Sequence, residues 1–245
     1  MRVVLVTGAG GALGSELARQ FHQRGDVVVT TDLVEPGGGS HSTACDLTDP
    51  TSLEDLVEGV RQRLGRLDVL VNCAGLTQRS PAISTDPAVF ASVMAVNWEA
   101  PVRLTQLAFP LLEESGGTVV NLGSMAGWMP VLGRSAYGAS KAALTQWMEV
   151  FRHEAAPRGV HVLNVYPSFL DAVMSDSSGD SGRARSTTGR LTPVPHMARL
   201  IIEAEEKRAR WLFPDRLSRL SSLLWRVWPT LYGRLMVRRF RSELG

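Results

Sequence analysis

Short, predominantly apolar runs recur along this chain of 245 residues, each followed by a stretch with helical spacing. Val3 to Val6, Val27 to Thr31, Asp68 to Asn72, Thr118 to Leu122 and Gly159 to Val165 are such runs. They are brief and nearly continuous in their apolar character, which is the pattern of strands buried on both faces. Thr43-Ala44-Cys45 reads as a further short strand, and Arg210 to Phe213 as the last one. Helices are expected from the first turn to about Arg24, from Asp49-Pro50 to about Leu64, over roughly Pro87 to Leu112, from Tyr137 onward to about Ala156, and over about Pro195 to Arg208. Strands alternating with helices of this length imply an α/β fold, a doubly wound parallel sheet in a single domain. Ligands of such sheets bind outside the carboxyl ends of the strands, so the residues following each run carry the chemistry.

The first of these junctions is Thr7-Gly8-Ala9-Gly10-Gly11-Ala12-Leu13-Gly14. Glycines here let the backbone turn tightly and approach a pyrophosphate, which sits on the free N–H groups of the helix that follows. The second strand ends at Asp32, about twenty residues on. An acid at that place accepts hydrogen bonds from both ribose hydroxyls of NAD and repels a 2′-phosphate, and no Arg or Lys follows it closely. Asp46 is placed to meet an adenine amino group. The small residues of Asn72-Cys73-Ala74-Gly75 leave room for a ribose and nicotinamide. Asn97, inside an apolar helix, is expected to kink it and to hold a water against Lys141.

Ser124 to Lys141 carries the most reactive combination. Tyr137 and Lys141 are four apart, so on a helix they share a face. A phenol titrates near ~10, and bringing it to ~7 takes roughly 4 kcal/mol. A neighbouring ammonium favours the phenolate, so Lys141 is expected to lower the Tyr137 value together with the positive charge of an oxidised nicotinamide. Ser124 ends a buried strand, where its hydroxyl can hydrogen-bond a substrate oxygen beside the phenol.

Taken in order, the glycine turn, Asp32, Asp46, the Asn72 to Gly75 segment, Asn97, Ser124, Tyr137 and Lys141 resemble a compact short-chain dehydrogenase/reductase over roughly residues 1 to 175. The resemblance implies a Rossmann-type fold and an oxidoreductase moving a hydride between NAD(H), rather than NADP, and a secondary alcohol or ketone. It assigns Asn97, Ser124, Tyr137 and Lys141 to catalysis, with Tyr137 as the acid/base. It assigns Gly8, Gly10, Ala12, Leu13, Gly14, Asp32, Asp46, Leu47, Asn72, Ala74, Gly75, Tyr137, Lys141 and Pro167 to cofactor contacts. A homodimer or homotetramer through the long helices bearing Asn97 and Lys141 is also implied. Two positions depart from the family pattern, Ser168 for its usual Gly and Ala172 for a Thr that grips the nicotinamide carboxamide. Ala172 gives footing to the alternative of a non-catalytic NAD-binding or scaffold protein. Residues 172–194, with Arg183, Arg185 and Arg190, resemble the family's substrate loop. Trp128, Met129, Val131, Leu132 and Phe169 suggest a lipophilic substrate.

Composition bears on compartment and on the tail. A charged fraction of 20% with a hydrophobic fraction of 44% is that of a soluble globular protein, and no apolar run is long enough to span a membrane. Cys45 and Cys73 form no metal or disulfide pattern, and the strand-like start leaves no room for a cleavable leader, so a cytoplasmic protein is expected. From Lys207 onward there are ten basic and two acidic residues, against sixteen and twenty-two before it. Within residues 215–245, beyond a catalytic domain of 1–214, Leu217, Leu220, Leu223, Leu224, Val227 and Trp228 recur at helical spacing. Leu231, Leu235, Met236 and Phe240 follow among Arg234, Arg238, Arg239 and Arg241. Amphipathic C-terminal helices are expected, either in peripheral contact with a membrane or packed on the substrate cleft or a partner subunit. No nucleic-acid reader module is recognisable, and no nucleic-acid partner is expected.

Overall fold

A computed structural model describes residues 1–177, 183–185 and 191–240. Residues 178–182, 186–190 (including Arg190) and 241–245 (including Arg241) lie outside the described residues, as do the side chains of Arg183, Arg185, Arg239 and Phe240. In chain order the elements are β1 (Val3–Thr7), α1 (Ala12–Gln23), β2 (Val27–Asp32), β3 (His41–Ala44), α2 (Pro50–Leu64) and β4 (Val69–Asn72). Then come α3 (Pro87–Met94), a π-helical turn (Ala95–Glu99), α4 (Ala100–Ser115), β5 (Thr118–Leu122), α5 (Met125–Trp128), α6 (Ser135–Ala155) and β6 (His161–Val165). A hairpin of β7 (Val173–Ser175) and β8 (Arg183–Arg185) precedes α7 (Val194–Glu206), β9 (Trp211–Leu212), α8 (Arg216–Val227) and α9 (Pro229–Phe240).

Among the described residues, seven strands form one parallel sheet in the order β3-β2-β1-β4-β5-β6-β9, the expected doubly wound arrangement. Successive side chains of a strand point to opposite faces. Accordingly Leu5, Leu70 and Val119 face a layer built on α2, α4 and α6. Val4, Val6, Val69, Val71 and Val120 face a second layer built on α1 and α7, through Leu17, Phe21, Met197 and Ile201. Each fully buried side chain of this kind contributes about 1.5–3 kcal/mol of transfer free energy. The start of the chain is clamped to α7 as well: Arg2 pairs with Asp26 at 3.1 Å and with Glu205 of α7 at 3.0 Å.

Three elements differ from the sequence expectation. The third strand begins at His41 and stops before Cys45, because its register on β2 runs from Val29↔His41 to Asp32↔Ala44. The last strand is two residues long, held to Asn164 and Val165 of β6. The helix expected from Pro87 to Leu112 runs on to Ser115, and a π-helical turn breaks it around Asn97, the place of the expected kink. The Asn97 side chain is committed to the loop after β4, accepting the Leu76 amide and donating to its carbonyl, both at 2.8 Å. Such a turn is the usual outcome when a side chain fixed elsewhere must be accommodated in a helix.

Candidate active site

The glycine turn brings the carboxyl end of β1 beneath the start of α1. Gly8 has φ +68°, and a Cβ there would lie 2.7 Å from the Ala74 Cα, so only glycine allows the two loops to touch. Thr7 Oγ1 accepts the amides of Cys73 and Ala74 at 3.1 and 3.2 Å and locks the same junction. Gly11 caps α1 without any side-chain acceptor, which leaves first-turn N–H groups uncovered. Asp32 stands over this turn, its Oδ2 accepting the Gly10 amide at 2.9 Å and its Oδ1 the Leu33 amide at 2.8 Å. An uncapped helix N-terminus, a cradle closed to any side chain and a carboxylate fixed beside it fit a dinucleotide.

Other expected cofactor residues fall around the same strand ends, though not all are free. Thr7, Leu47, Asn72 and Ala74 line one small crevice. Asn72 donates to Thr105 Oγ1 at 3.1 Å, while its buried Oδ1 has no hydrogen-bond partner. Asp46 is exposed and turns back on its own loop, accepting the Thr48 amide at 2.9 Å and the Thr48 hydroxyl at 2.7 Å. The bare face of Gly75 looks onto Asn97 Oδ1, Met174 Cε and Lys141 Nζ. Pro167 carries the carbonyl that accepts the Met125 amide at 3.1 Å, beside Ser124.

Ser124, Tyr137 and Lys141 converge where β5 meets α5 and α6. Ser124 is buried and caps α5 by accepting the Ala126 amide at 3.1 Å, with its hydroxyl on the side of the Tyr137 phenol. Burial pushes the half-buried Tyr137 phenol above its ordinary value, while the Ser124 hydroxyl and then the charge of Arg134 pull it down. Lys141 is buried, and loss of water lowers its ammonium to about 8. Its Nζ donates to the Leu122 carbonyl at 2.7 Å. Arg134 adds a second positive charge beside Tyr137, and Lys141 is anchored to the backbone of β5. Asn97 is buried, and both of its amide hydrogens are used, on Leu76 O and on Ser140 Oγ at 3.0 Å. Its side chain thereby spans from the loop after β4 to α6.

Several contributors carry no sequence signal. Gln78 is fully buried, and its Oε1 accepts the Ala136 amide at 3.2 Å at the start of α6. Arg134 bonds Thr77 Oγ1 and the Gln78 carbonyl. The tail reaches both sides of this region. Ser168 Oγ donates to Asp215 Oδ2 at 2.9 Å, and Tyr232 Oη donates to the Pro130 carbonyl at 2.9 Å. Trp128, expected in the substrate pocket, instead packs edge-on against Tyr166, Trp211 and Phe213 at centroid distances of 5.2, 6.1 and 5.6 Å. Its ring belongs to an aromatic cluster at the sheet edge.

A sequence profile of the family described as short chain dehydrogenase matches residues 2–182. The chain is 30% identical to Dehydrogenase/reductase SDR family member 7B of Danio rerio, over all of its own length and 87% of the relative's. It is 29% identical to 3-oxoacyl-[acyl-carrier-protein] reductase FabG of Vibrio cholerae over 79% of this chain and 82% of that one. Its fold resembles a solved short-chain dehydrogenase from Streptomyces avermitilis, with a TM-score of 0.80, 26% identity and coverage of 98% and 96% of the two chains. A second solved relative, from Burkholderia cenocepacia in complex with NADP, has a TM-score of 0.84 at 22% identity, with 97% and 99% covered.

Proposed function

Because the chain belongs to the short-chain dehydrogenase/reductase family, we propose that it moves a hydride between NAD(H) and a lipophilic secondary alcohol or ketone. The observation that carries this reading is the convergence of Ser124, Tyr137 and Lys141 at the mouth of β5, with Tyr137 and Lys141 one turn apart on α6. The nicotinamide ring supplies the hydride acceptor or donor when bound. In the oxidative direction Tyr137, as phenolate, takes the proton of the substrate hydroxyl; in the reductive direction the phenol gives its proton to the carbonyl oxygen. Ser124 Oγ donates to the same oxygen and fixes its place beside the phenol. Lys141 contributes a cation under the site and a donor for the cofactor's ribose. The turn from Gly8 to Gly14, with Ala12 and Leu13, would hold the pyrophosphate, and Asp32 the adenosine ribose.

NAD rather than NADP is read from the Asp32 carboxylate, which a 2′-phosphate would have to approach. The non-catalytic alternative rests on Ala172. The other departure, Ser168, has a structural use in its bond to Asp215. The test of catalysis is NADH absorbance over a panel of alcohols and ketones with wild type and Tyr137→Phe. Turnover is expected to fall by about 10²–10⁴-fold in the variant, with NADH binding retained. A variant keeping most of the wild-type kcat contradicts the assignment.

The protein is further assigned to the cytoplasm as a homodimer or homotetramer, joined through α4 and α6. Trp147 stacks on Phe151 at 5.1 Å along α6, and Val150 beside them is exposed. Sedimentation as a monomer at micromolar concentration contradicts this assembly. Residues 215–245 are assigned a peripheral contact with membrane, read from the leucine stripe and the arginines of α8 and α9; among the described residues no helix is long and apolar enough to cross one.

A further inference from the structure

The outer face of the α8–α9 hairpin is the largest feature that hydride transfer leaves without a use. Leu217, Leu220, Leu223 and Val227 lie along one side of α8, each more than half exposed, and Trp228 at the corner is 65% exposed. On the opposite side Ser218 is buried and Trp225 packs edge-on against Tyr232 of α9 at 5.5 Å. The hairpin therefore already has its dry seam, and the outward leucines are not needed to close it. Arg216, Arg219, Arg226, Arg234 and Arg238 are exposed around these leucines, and none has an ion-pair partner among the described residues. The hairpin's one described acid, Asp215, is used up by Ser168 and by the amide and hydroxyl of Ser218.

A surface that is at once apolar, cationic and edged with tryptophan matches the boundary between hydrocarbon and anionic headgroups. A second copy of the chain matches it less well. Outside the hairpin the exposed large apolar residues among those described are few, Leu33 with Val34 being the one adjacent pair, and hairpin set on hairpin would oppose arginine to arginine. The hairpin's inner anchors add its orientation. Asp215 holds Ser168, one residue beyond Pro167, and Tyr232 holds Pro130, in the loop between Ser124 and Tyr137.

We propose that the α8–α9 hairpin docks this protein on an anionic phospholipid surface and, being bonded to both loops that flank Ser124 and Tyr137, turns the mouth of the active site toward that surface. The substrate class follows: an alcohol or ketone dissolved in the lipid, taken up beside the hairpin. This last clause rests on the oxidoreductase reading, whereas docking does not.

The full-length protein is sedimented with phosphatidylcholine vesicles, with and without phosphatidylserine, as wild type, Leu220→Ser/Leu223→Ser and Arg219→Gln/Arg226→Gln. All four substituted positions are exposed, so unchanged thermal melting is expected and confirms intact variants. Binding should require phosphatidylserine, weaken as salt is raised, and fall roughly tenfold or more in each double variant. Turnover of a vesicle-dissolved long-chain ketone should fall with binding, while turnover of a short water-soluble ketone stays at the wild-type rate. Absence of sedimentation with either vesicle overturns the proposal. So does equal sedimentation of wild type and the leucine variant, or a leucine variant that only converts a dimer to a monomer. Vesicle binding without turnover of any ketone or alcohol would leave docking standing and remove the oxidoreductase reading instead.

Discussion

Arg134 Nη1 donates to the carbonyl oxygen of Gln78 at 3.2 Å, joining the loop after β4 to the first turn of the helix that carries Tyr137. Gln78 answers from the other side, its Oε1 taking the Ala136 amide at 3.2 Å. The cation is thereby fixed close enough to Tyr137 for its charge to favour the phenolate. Replacing Arg134 by Met removes that charge, so the pKa of Tyr137 rises. In the pH profile of kcat/KM for alcohol oxidation, which needs the phenolate, the rising limb should move to higher pH. Arg134→Lys, which keeps the charge, should move it back toward wild type. Superimposable profiles for wild type and the Met variant would show that Arg134 only holds the loop.

Asp32 should set the choice of cofactor. A charge-assisted hydrogen bond of this kind is worth about 1–3 kcal/mol, or roughly 5–150-fold in kcat/KM for NAD over NADP. Asp32→Asn keeps the shape but loses the charge, and should lose most of that preference. Steady-state kinetics with both cofactors checks it, and equal kcat/KM in the wild type would assign the choice to another group.

Glu149 should make stability depend on acid. Burial pushes its carboxyl up, but hydrogen bonds from Trp211 and Arg210 at 2.7 Å, Asn164 at 2.8 Å and Arg152 at 3.2 Å hold it down at about 2. A carboxylate whose folded value lies below its unfolded one stabilises the fold above the unfolded value of 4.5, and that contribution disappears as pH falls through about 2. Because the group borders solvent, the contribution is discounted to about 1–2 kcal/mol. Urea denaturation of Glu149→Gln should show that deficit at pH 7 and a narrower one at pH 3. A deficit independent of pH would assign the loss to packing.

Much of this arrangement can be read from the chain because parallel strands buried on both faces need continuous apolar runs. Val69 to Val71 and Val119 to Leu122 announce themselves in that way. His41 to Ala44 does not, since a polar edge strand is specified by its neighbour β2 rather than by its own hydrophobicity. Ser124, Tyr137 and Lys141 were legible because strand ends and helical spacing are local properties. Gln78 and Arg134 were not: a buried amide capping a helix 58 positions away depends on the tertiary approach of two loops. Trp128 misled for the same reason. Its sequence neighbours suggested a pocket, but its ring contacts come from β9 and the end of β6.

The ion pair between Arg2 and Glu205 joins positions 203 apart, and it has a consequence for how the chain is made. A ribosome releases β1 long before α7 exists, so the first strand, although paired with both its sheet neighbours β2 and β4 early, keeps the face bearing Val4 and Val6 without its α7 cover until Val194–Glu206 has been synthesised. Contacts so distant in sequence close late and slow the folding of parallel sheets. The edge of β6 likewise stays open until Trp211 and Leu212 emerge. During that interval the nascent chain offers an unpaired strand beside exposed apolar surface, the condition in which holding chaperones are needed. Slowing translation after about residue 165 should therefore lower the yield of soluble protein more than the same pause placed after residue 215.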